Sequence, residues 1–279
     1  MNNRIYRRRS IINQIMLKIS LFALLFGLFW LFWIVCILLI KGSPALSYTL
    51  FTKITPPPGQ CGGLINAIVG SILIVGFGTF IGTPIGILAG TYLAEYGQRG
   101  WLVTIIRFLN DLLLSAPSII IGLFTYSVYV VQVKHYSGWA GSIALSMLVI
   151  PVVVRTTDNI LSLVPNNLRE AAFALGCPKW RMIIVICYRA AKKGIITGIL
   201  LSLARISGET APLLFTALSN QFMSFNMNAP MANLPVIIYQ YASSPFEDWN
   251  NLAWAGAVLI TLLVLIINIT VRNLFCNKI

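Results

Sequence analysis

A short apolar stretch of the sequence, LLSLARISGETAPLLF (residues 200–215), contains two charged side chains four positions apart, Arg205 and Glu209. On a helix, residues at this spacing lie on one face, so the two charges can neutralise each other. An arginine guanidinium also matches phosphate oxygens with paired hydrogen bonds, and the hydroxyl groups of Ser207 and Thr210 are close by in sequence. The stretch is therefore either a self-contained ion pair or part of a pathway for an anion.

The same stretch is a poor candidate for one continuous helix. Pro212 cannot donate a hydrogen bond to the carbonyl of Gly208, and its ring crowds that carbonyl. We therefore expect the helix to bend or open here and to expose backbone groups to a cavity. Charged side chains inside a membrane are costly and usually mark substrate pathways, which favours the pathway interpretation.

The sequence around this stretch is typical of helices that cross a membrane. The chain has 279 residues, of which 58% are hydrophobic and only 10% are charged, whereas soluble domains carry roughly 25% charged residues. Six apolar runs reach or approach the length needed to span the hydrocarbon core. They are residues 19–40, 64–93, 112–131, 138–154, 194–218 and 252–271. We predict an all-α integral membrane protein with six transmembrane helices.

The basic residues indicate how these spans are oriented. With both termini in the cytoplasm, 16 of the 20 lysines and arginines are cytoplasmic, including those of the loops 95–111 and 155–193. The external loops are then 41–63, 132–137 and 219–251, with three basic residues in total. This distribution fits the positive-inside rule. It also accounts for the net charge of +13 without nucleic-acid binding, which would need a basic cluster on a soluble domain.

The chain divides into three parts by this pattern. Residues 1–18 form a basic cytoplasmic tail, residues 19–63 the first span with an external loop, and residues 64–275 a transmembrane core with a cytoplasmic segment at 165–192. Of the five cysteines, only Cys61 falls in an external loop, so no disulfide is expected on that side.

The second span contains a glycine at every fourth position, from Gly78 through Gly82 and Gly86 to Gly90. These glycines share one helix face, where small residues allow another helix to approach closely. We predict helix packing along this face. Pro84 lies within the ladder and can kink the helix.

The cytoplasmic segment is patterned too strongly for a passive connector. It predicts a helix over 168–175, a stop at Gly176-Cys177-Pro178 and a second helix over about 180–192. The first helix has an apolar face formed by Leu168, Ala171, Ala172 and Leu175. A partner protein is the natural candidate to cover this face.

Within this segment, REAAFALG resembles the EAA loop of ABC-importer permeases, in which Glu-Ala-Ala-x-x-x-Gly is followed, after nine further residues, by isoleucine. The matching positions here are Glu170, Ala171, Ala172, Gly176 and Ile186. The family's next Leu-Pro is replaced by Tyr188 and Arg189. The stretches LSAPSIIIGLF, VPNNLREAAFALGCPKW, GETAPLLFTALSNQF, PMANLPV and LAWAGAVLI are similar, in this order, to permease subunits of phosphate-specific ABC importers.

The resemblance covers most of the chain from about Leu64 onwards, and it implies the type I ABC importer permease fold in a bacterial inner membrane. It also implies a second related permease chain, two copies of a cytoplasmic ATPase, an external phosphate-binding protein and inorganic phosphate as substrate. Glu170, Ala171, Ala172 and Gly176 would then contact the ATPase as a coupling helix. No Gly-Lys dipeptide, and hence no Walker A motif, occurs in the chain. We therefore expect no cofactor and no catalysis here, with ATP and magnesium on the partner ATPase.

Two other transport functions stay open on the sequence alone. An importer of another tetrahedral oxyanion, such as sulfate or molybdate, would share most of these features, and a stand-alone secondary anion transporter would also accommodate the charged pair. An intramembrane enzyme finds no support, since HExxH, GxSxG and a catalytic carboxylate pair are missing from the sequence. Within the pathway interpretation, Glu209 either holds Arg205 when substrate is absent or accepts a hydrogen bond from a protonated phosphate oxygen.

Overall fold

The computed structural model describes residues 3–60, 62–97 and 100–276. Cys61 lies outside the described residues, as do two of the basic residues counted above, Arg99 and Lys278. The side chains of two further basic residues, Arg4 and Arg272, are not described either. The described part is helical or irregular, as predicted. Its first six α-helices are α1 (Asn3–Gly42), α2 (Ile65–Thr91), α3 (Trp101–Ser115), α4 (Ser118–Thr125), α5 (Val131–Val133) and α6 (Gly138–Ser162). The remaining six are α7 (Asn166–Ala174), α8 (Lys179–Met182), α9 (Tyr188–Ile206), α10 (Ala211–Thr216), α11 (Leu234–Ala242) and α12 (Glu247–Cys276).

Short helical turns of other types join several of these elements. Two 3₁₀ turns, Ser43–Ala45 and Tyr48–Phe51, follow α1. Three π-helical turns, Tyr92–Tyr96, Tyr126–Val130 and Ile183–Cys187, extend α2, join α4 to α5 and join α8 to α9. Because of the last of these turns, α8 and α9 form one helical rod.

Among the described residues, four helices are long and apolar enough to cross a membrane. They are Tyr6–Ala45, Ile65–Tyr96, Gly138–Ser162 and Glu247–Thr270. A bent pair, Trp101–Ser115 with Ser118–Val133, provides a fifth span if it is counted as one. The membrane-helix architecture is thus confirmed, while the count of six stays a prediction.

The predicted span 112–131 is interrupted near its start. The helices on the two sides of the break, Trp101–Ser115 and Ser118–Val133, are bent by 104° relative to each other. Pro117 disfavours a helical conformation at the preceding residue, and Ala116 is extended (φ −66°, ψ 134°). The predicted loop at 95–111 is wrong, since α3 begins at Trp101. The fourth span is longer than predicted and runs over Gly138–Ser162, so Arg155 lies within a helix.

The glycine ladder of α2 packs against α6, as predicted. A Cβ atom added at any of its glycines would lie 2.7–3.0 Å from the Cβ atom of an α6 residue. The four facing residues are Leu145, Val149, Val153 and Thr157. The facing residues of α6 thus repeat every four positions, as the glycines of α2 do. We call this contact between the two helices the glycine seam. Helix α2 continues through Pro84 as one element.

The predicted external loop 219–251 contains a packed helix, α11, that the sequence analysis did not anticipate. The amide of Val236 donates to the Asn233 side chain at 3.1 Å and starts this helix. Leu234 and Ile237 are buried in a cluster with residues of α2 and α12. The region is therefore part of the core rather than a free loop.

Candidate functional site

The break predicted near Pro212 is present between α9 and α10. Helix α9 ends at Ile206, the chain turns over residues 207–210, and α10 begins at Ala211. In the turn, the amides of Gly208 and Glu209 donate to the carbonyls of Arg205 and Ile206, each at 3.2 Å. The helix thus opens at this point, which confirms the predicted bend.

Helix α10 is held in place by a close contact with α4. A Cβ atom added at Gly122 would lie 2.6 Å from the Cα atom of Pro212. Leu213 and Thr216 of α10 are buried, and α10 also packs against α6. The break is therefore a fixed feature of the packed bundle.

Arg205 and Glu209 form a loose pair at this break. The distance from Nε of Arg205 to Oε1 of Glu209 is 4.0 Å, which is too long for a hydrogen bond. The arginine side chain is 48% exposed and the glutamate side chain is 17% exposed. Among the described residues the Arg205 guanidinium makes no hydrogen bond, so its donors are available to a ligand or to another chain.

The two hydroxyl residues lie at the same break. Ser207 donates from Oγ to the carbonyl of Leu203 at 2.7 Å, so its hydroxyl can face a ligand only as an acceptor unless it rotates. Thr210 precedes the first turn of α10 and is partly buried. All four predicted pathway residues thus lie at the break between α9 and α10. Their role in anion passage stays a prediction.

The predicted coupling helix is α7. The chain reverses at Gly176, whose φ of +74° suits glycine, as the predicted stop requires. The predicted short second helix over about 180–192 is wrong in length. It begins at Lys179 and continues to Ile206, because the glycines at 194 and 198 pack closely against Ile160 and Thr156 of α6 instead of ending the helix.

The predicted apolar face of α7 is divided between the inside and the outside of the chain. Ala172 is buried in a cluster with Met182 and Cys187, so it packs within this chain. Glu170, Ala171 and Gly176 are exposed. Large apolar side chains are exposed beside them, namely Leu168 (45%), Leu175 (88%) and Trp180 (61%). Such a patch is typical of a surface that a partner protein covers.

A second arginine–glutamate pair, which the sequence analysis did not single out, lies beneath this surface. Nη2 of Arg169 lies 2.7 Å from Oε1 of Glu95, and the two side chains are 15% and 4% exposed. The hydrogen bonds to Glu95 raise the pKa of the Arg169 guanidinium above its usual value. In the sequence, this pair is indicated only by the position of Glu95 at the end of an apolar run. Its partner, Arg169, lies 74 positions away.

Two further ion pairs join α3 to α6. Arg107 lies 3.2 Å from Asp158, and Arg155 lies 3.6 Å from Asp111. Both arginines were predicted to lie in cytoplasmic loops. The start of α3 was predicted too late in the sequence and the end of α6 too early. In the first pair the aspartate is buried, whereas both partners of the second pair are largely exposed.

Comparisons with known proteins identify relatives over the whole chain. Residues 82–275 match the family described as "Binding-protein-dependent transport system inner membrane component". "Phosphate transport system permease protein PstA" of Pasteurella multocida (strain Pm70) is 66% identical over 278 residues, which cover 100% of this chain and 99% of that protein. The protein of the same name from Haemophilus influenzae is also 66% identical, over 277 residues that cover 99% and 98% of the two chains. PstA 1 of Mycobacterium tuberculosis (strain H37Rv) is 36% identical over 215 residues, 76% of this chain and 70% of that protein.

The fold also has a counterpart among solved structures. A chain of the MetNI methionine ABC transporter, in an inward-facing conformation, superposes with a TM-score of 0.58 at 20% sequence identity. The match covers 75% of this chain and 91% of that chain. It shows that the matched part of the chain adopts the type I ABC importer permease fold.

Proposed function

Because the chain belongs to the PstA permeases of the binding-protein-dependent transport systems, and is the permease subunit of a phosphate ABC importer, we propose that it moves inorganic phosphate into the cytoplasm by alternating access. The observation that carries this function is the 66% identity over essentially the full length of two PstA proteins. The exposed apolar surface around α7 supports an importer driven by another subunit.

The proposed assembly contains a second related permease chain, two copies of a cytoplasmic ATPase and an external phosphate-binding protein. ATP and magnesium bind to the ATPase, and this chain contributes no catalytic group and no cofactor site. The unused donors of the half-exposed Arg205 support a second permease chain, since a pathway at the surface of one subunit needs a facing subunit to close it.

The proposed phosphate pathway passes the break between α9 and α10. Arg205 supplies the charge and the planar set of donors that phosphate oxygens match. Ser207 and Thr210 supply hydroxyl groups, and Glu209 controls the position of Arg205 or contacts a protonated phosphate oxygen. The loose 4.0 Å pair supports this role, because a guanidinium that is already saturated could not bind an anion.

The proposed contact with the ATPase is the exposed part of α7 and the turn after it. Glu170, Ala171 and Gly176 lie on the surface, while Ala172 anchors the helix from inside through its buried contacts. This arrangement requires α7 to be cytoplasmic, and we propose that both termini also lie in the cytoplasm, in a bacterial inner membrane. The distribution of basic residues supports this orientation.

The test is co-purification followed by transport. We expect an affinity tag on this chain to recover an ATPase, a second permease and ATP-dependent uptake of labelled phosphate in proteoliposomes supplied with the phosphate-binding protein. Excess sulfate or molybdate should not compete. Competition by either anion would point to a different oxyanion, and uptake by this chain alone, without ATP, would point to a secondary transporter.

A further inference from the structure

We propose that Arg169 is a positioning residue for transport, which ties the coupling helix α7 to the C-terminal end of α2. Through this tie, a movement of α7 is passed to the packed pair of α2 and α6. The inference rests on the proposed function, in which α7 contacts the ATPase. It identifies the element inside this chain that receives the movement.

The guanidinium of Arg169 connects four points of the chain with its three nitrogens. Nη2 donates to Oε1 of Glu95 at 2.7 Å, and Nε donates to both carboxylate oxygens at 3.2 and 3.3 Å. Nη2 also donates to the carbonyl of Leu161 at 2.8 Å. Nη1 donates to the carbonyl of Val164 at 2.5 Å and to Oδ1 of Asn166 at 3.0 Å. One side chain therefore joins the end of α2, the end of α6 and the first turn of α7.

The tie is too well buried to separate easily. Glu95 is 4% exposed and Arg169 is 15% exposed, and a buried carboxylate is strongly unfavourable once its partner leaves. The pair should therefore persist while α7 moves. A pushed α7 then displaces the end of α2 instead of sliding past it.

Two contacts on either side of Glu95 extend the tie. The hydroxyl groups of Thr91 and Tyr188 are 2.8 Å apart, and Nζ of Lys179 lies 4.4 Å from the centre of the Tyr96 ring. The last residues of α2 and its π-helical turn thus contact α7, α8 and the start of α9. The end of α2 is surrounded by the elements that frame the proposed ATPase contact.

The glycine seam explains how a displaced α2 would affect the bundle. Backbone and side chain are in such close contact at Gly82, Gly86 and Gly90 that α2 cannot shift along α6 without moving it. Coupling between distant sites is carried by contiguous packed elements of this kind. Helix α6 in turn packs on α9 and α10, which flank the break at Arg205.

The experiment compares coupling in the assembled transporter. Phosphate uptake and ATP hydrolysis are measured together in proteoliposomes, so that the result is phosphate moved per ATP. Arg169→Lys keeps the positive charge beside Glu95 but cannot reproduce the fan of hydrogen bonds. The double variant Glu95→Gln/Arg169→Gln removes both charges and leaves no buried ion unpaired. Lys193→Gln removes an exposed charge from the same region and is the matched control.

We expect both Arg169 variants to assemble with the ATPase and to hydrolyse ATP, with phosphate moved per ATP reduced about tenfold, while the Lys193 control equals the unaltered complex. A normal ratio in the two Arg169 variants would overturn the proposal. Loss of assembly in Arg169→Lys would also overturn it, because the tie would then serve folding alone. Absence of ATP-driven uptake by the unaltered complex would overturn the proposed function and this inference with it.

Discussion

The chain contains two arginine–glutamate pairs that differ in almost every physical respect. Arg169 and Glu95 are 74 positions apart in sequence and 2.7 Å apart in space, and their side chains are only 15% and 4% exposed. Arg205 and Glu209 are four positions apart, 4.0 Å apart in space and partly exposed. In the first pair the guanidinium is saturated by acceptors of its own chain, whereas in the second it makes no hydrogen bond among the described residues.

Each pair is suited to a different task. A saturated, buried pair holds two elements in a fixed relation and cannot bind a further anion. An unsaturated pair has little hold on the fold, but it offers donors to a ligand or a facing subunit. The same two residue types thus serve positioning at one site and suit binding at the other, and it is the surrounding acceptors that decide between the two roles.

The largest effect should separate the two pairs by stability. Arg169→Met leaves the Glu95 carboxylate buried without a partner, and we expect the free energy of unfolding to fall by about 3–5 kcal/mol. Arg205→Met should lower it by no more than about 1 kcal/mol, as for exposed pairs. Thermal unfolding of the purified complex in detergent measures both. An equal loss of stability in the two variants would show that the two pairs contribute equally to the fold.

The next effect concerns the seam that makes the end of α2 a rigid element. Gly86→Ala introduces a Cβ atom 2.7 Å from that of Val153, and such overpacking should destabilise the protein by about 1–3 kcal/mol. Gly76→Ala is the matched control on the same helix, because its Cβ atom meets no other atom within 4 Å. It should be neutral or stabilising by up to about 1 kcal/mol. Similar melting temperatures for both variants would contradict the close seam.

A third prediction concerns transport, where Arg205 should matter in spite of its small effect on stability. Arg205→Gln should reduce phosphate uptake about tenfold, equivalent to about 1.4 kcal/mol, with assembly and melting temperature preserved. Lys134→Gln removes a different exposed charge and should leave uptake unchanged. If uptake survives in Arg205→Gln, the pair is structural and the pathway must be sought elsewhere, first in the second permease chain.

The sequence predicted those features of the structure that depend on residues a few positions apart in the chain. The four-residue glycine repeat was enough to predict the seam, and Gly208 with Pro212 was enough to predict the break. Arg169 was counted only as a loop charge, because no short-range pattern relates it to Glu95. The bend at Ala116 and the burial of α11 were missed for a related reason. Hydropathy identifies apolar runs, but it does not say where a run turns or whether an external segment folds back into the core.

The smallest effect tests the role of Glu209 within the loose pair. If its carboxylate accepts a hydrogen bond from a protonated phosphate oxygen, Glu209→Gln should lower the preference for phosphate over sulfate, which carries no such proton near neutral pH. The amide oxygen of glutamine can still accept this hydrogen bond, but it carries no charge. The weakening from a charged to a neutral acceptor is worth about 1 kcal/mol, so the preference should change about fivefold. Glu209→Asp retains a carboxylate and should retain the preference. If Glu209 only holds Arg205 between transport cycles, Glu209→Gln should instead slow uptake of both anions equally. Unchanged uptake of both anions would remove Glu209 from the pathway and leave Arg205 as its charged group.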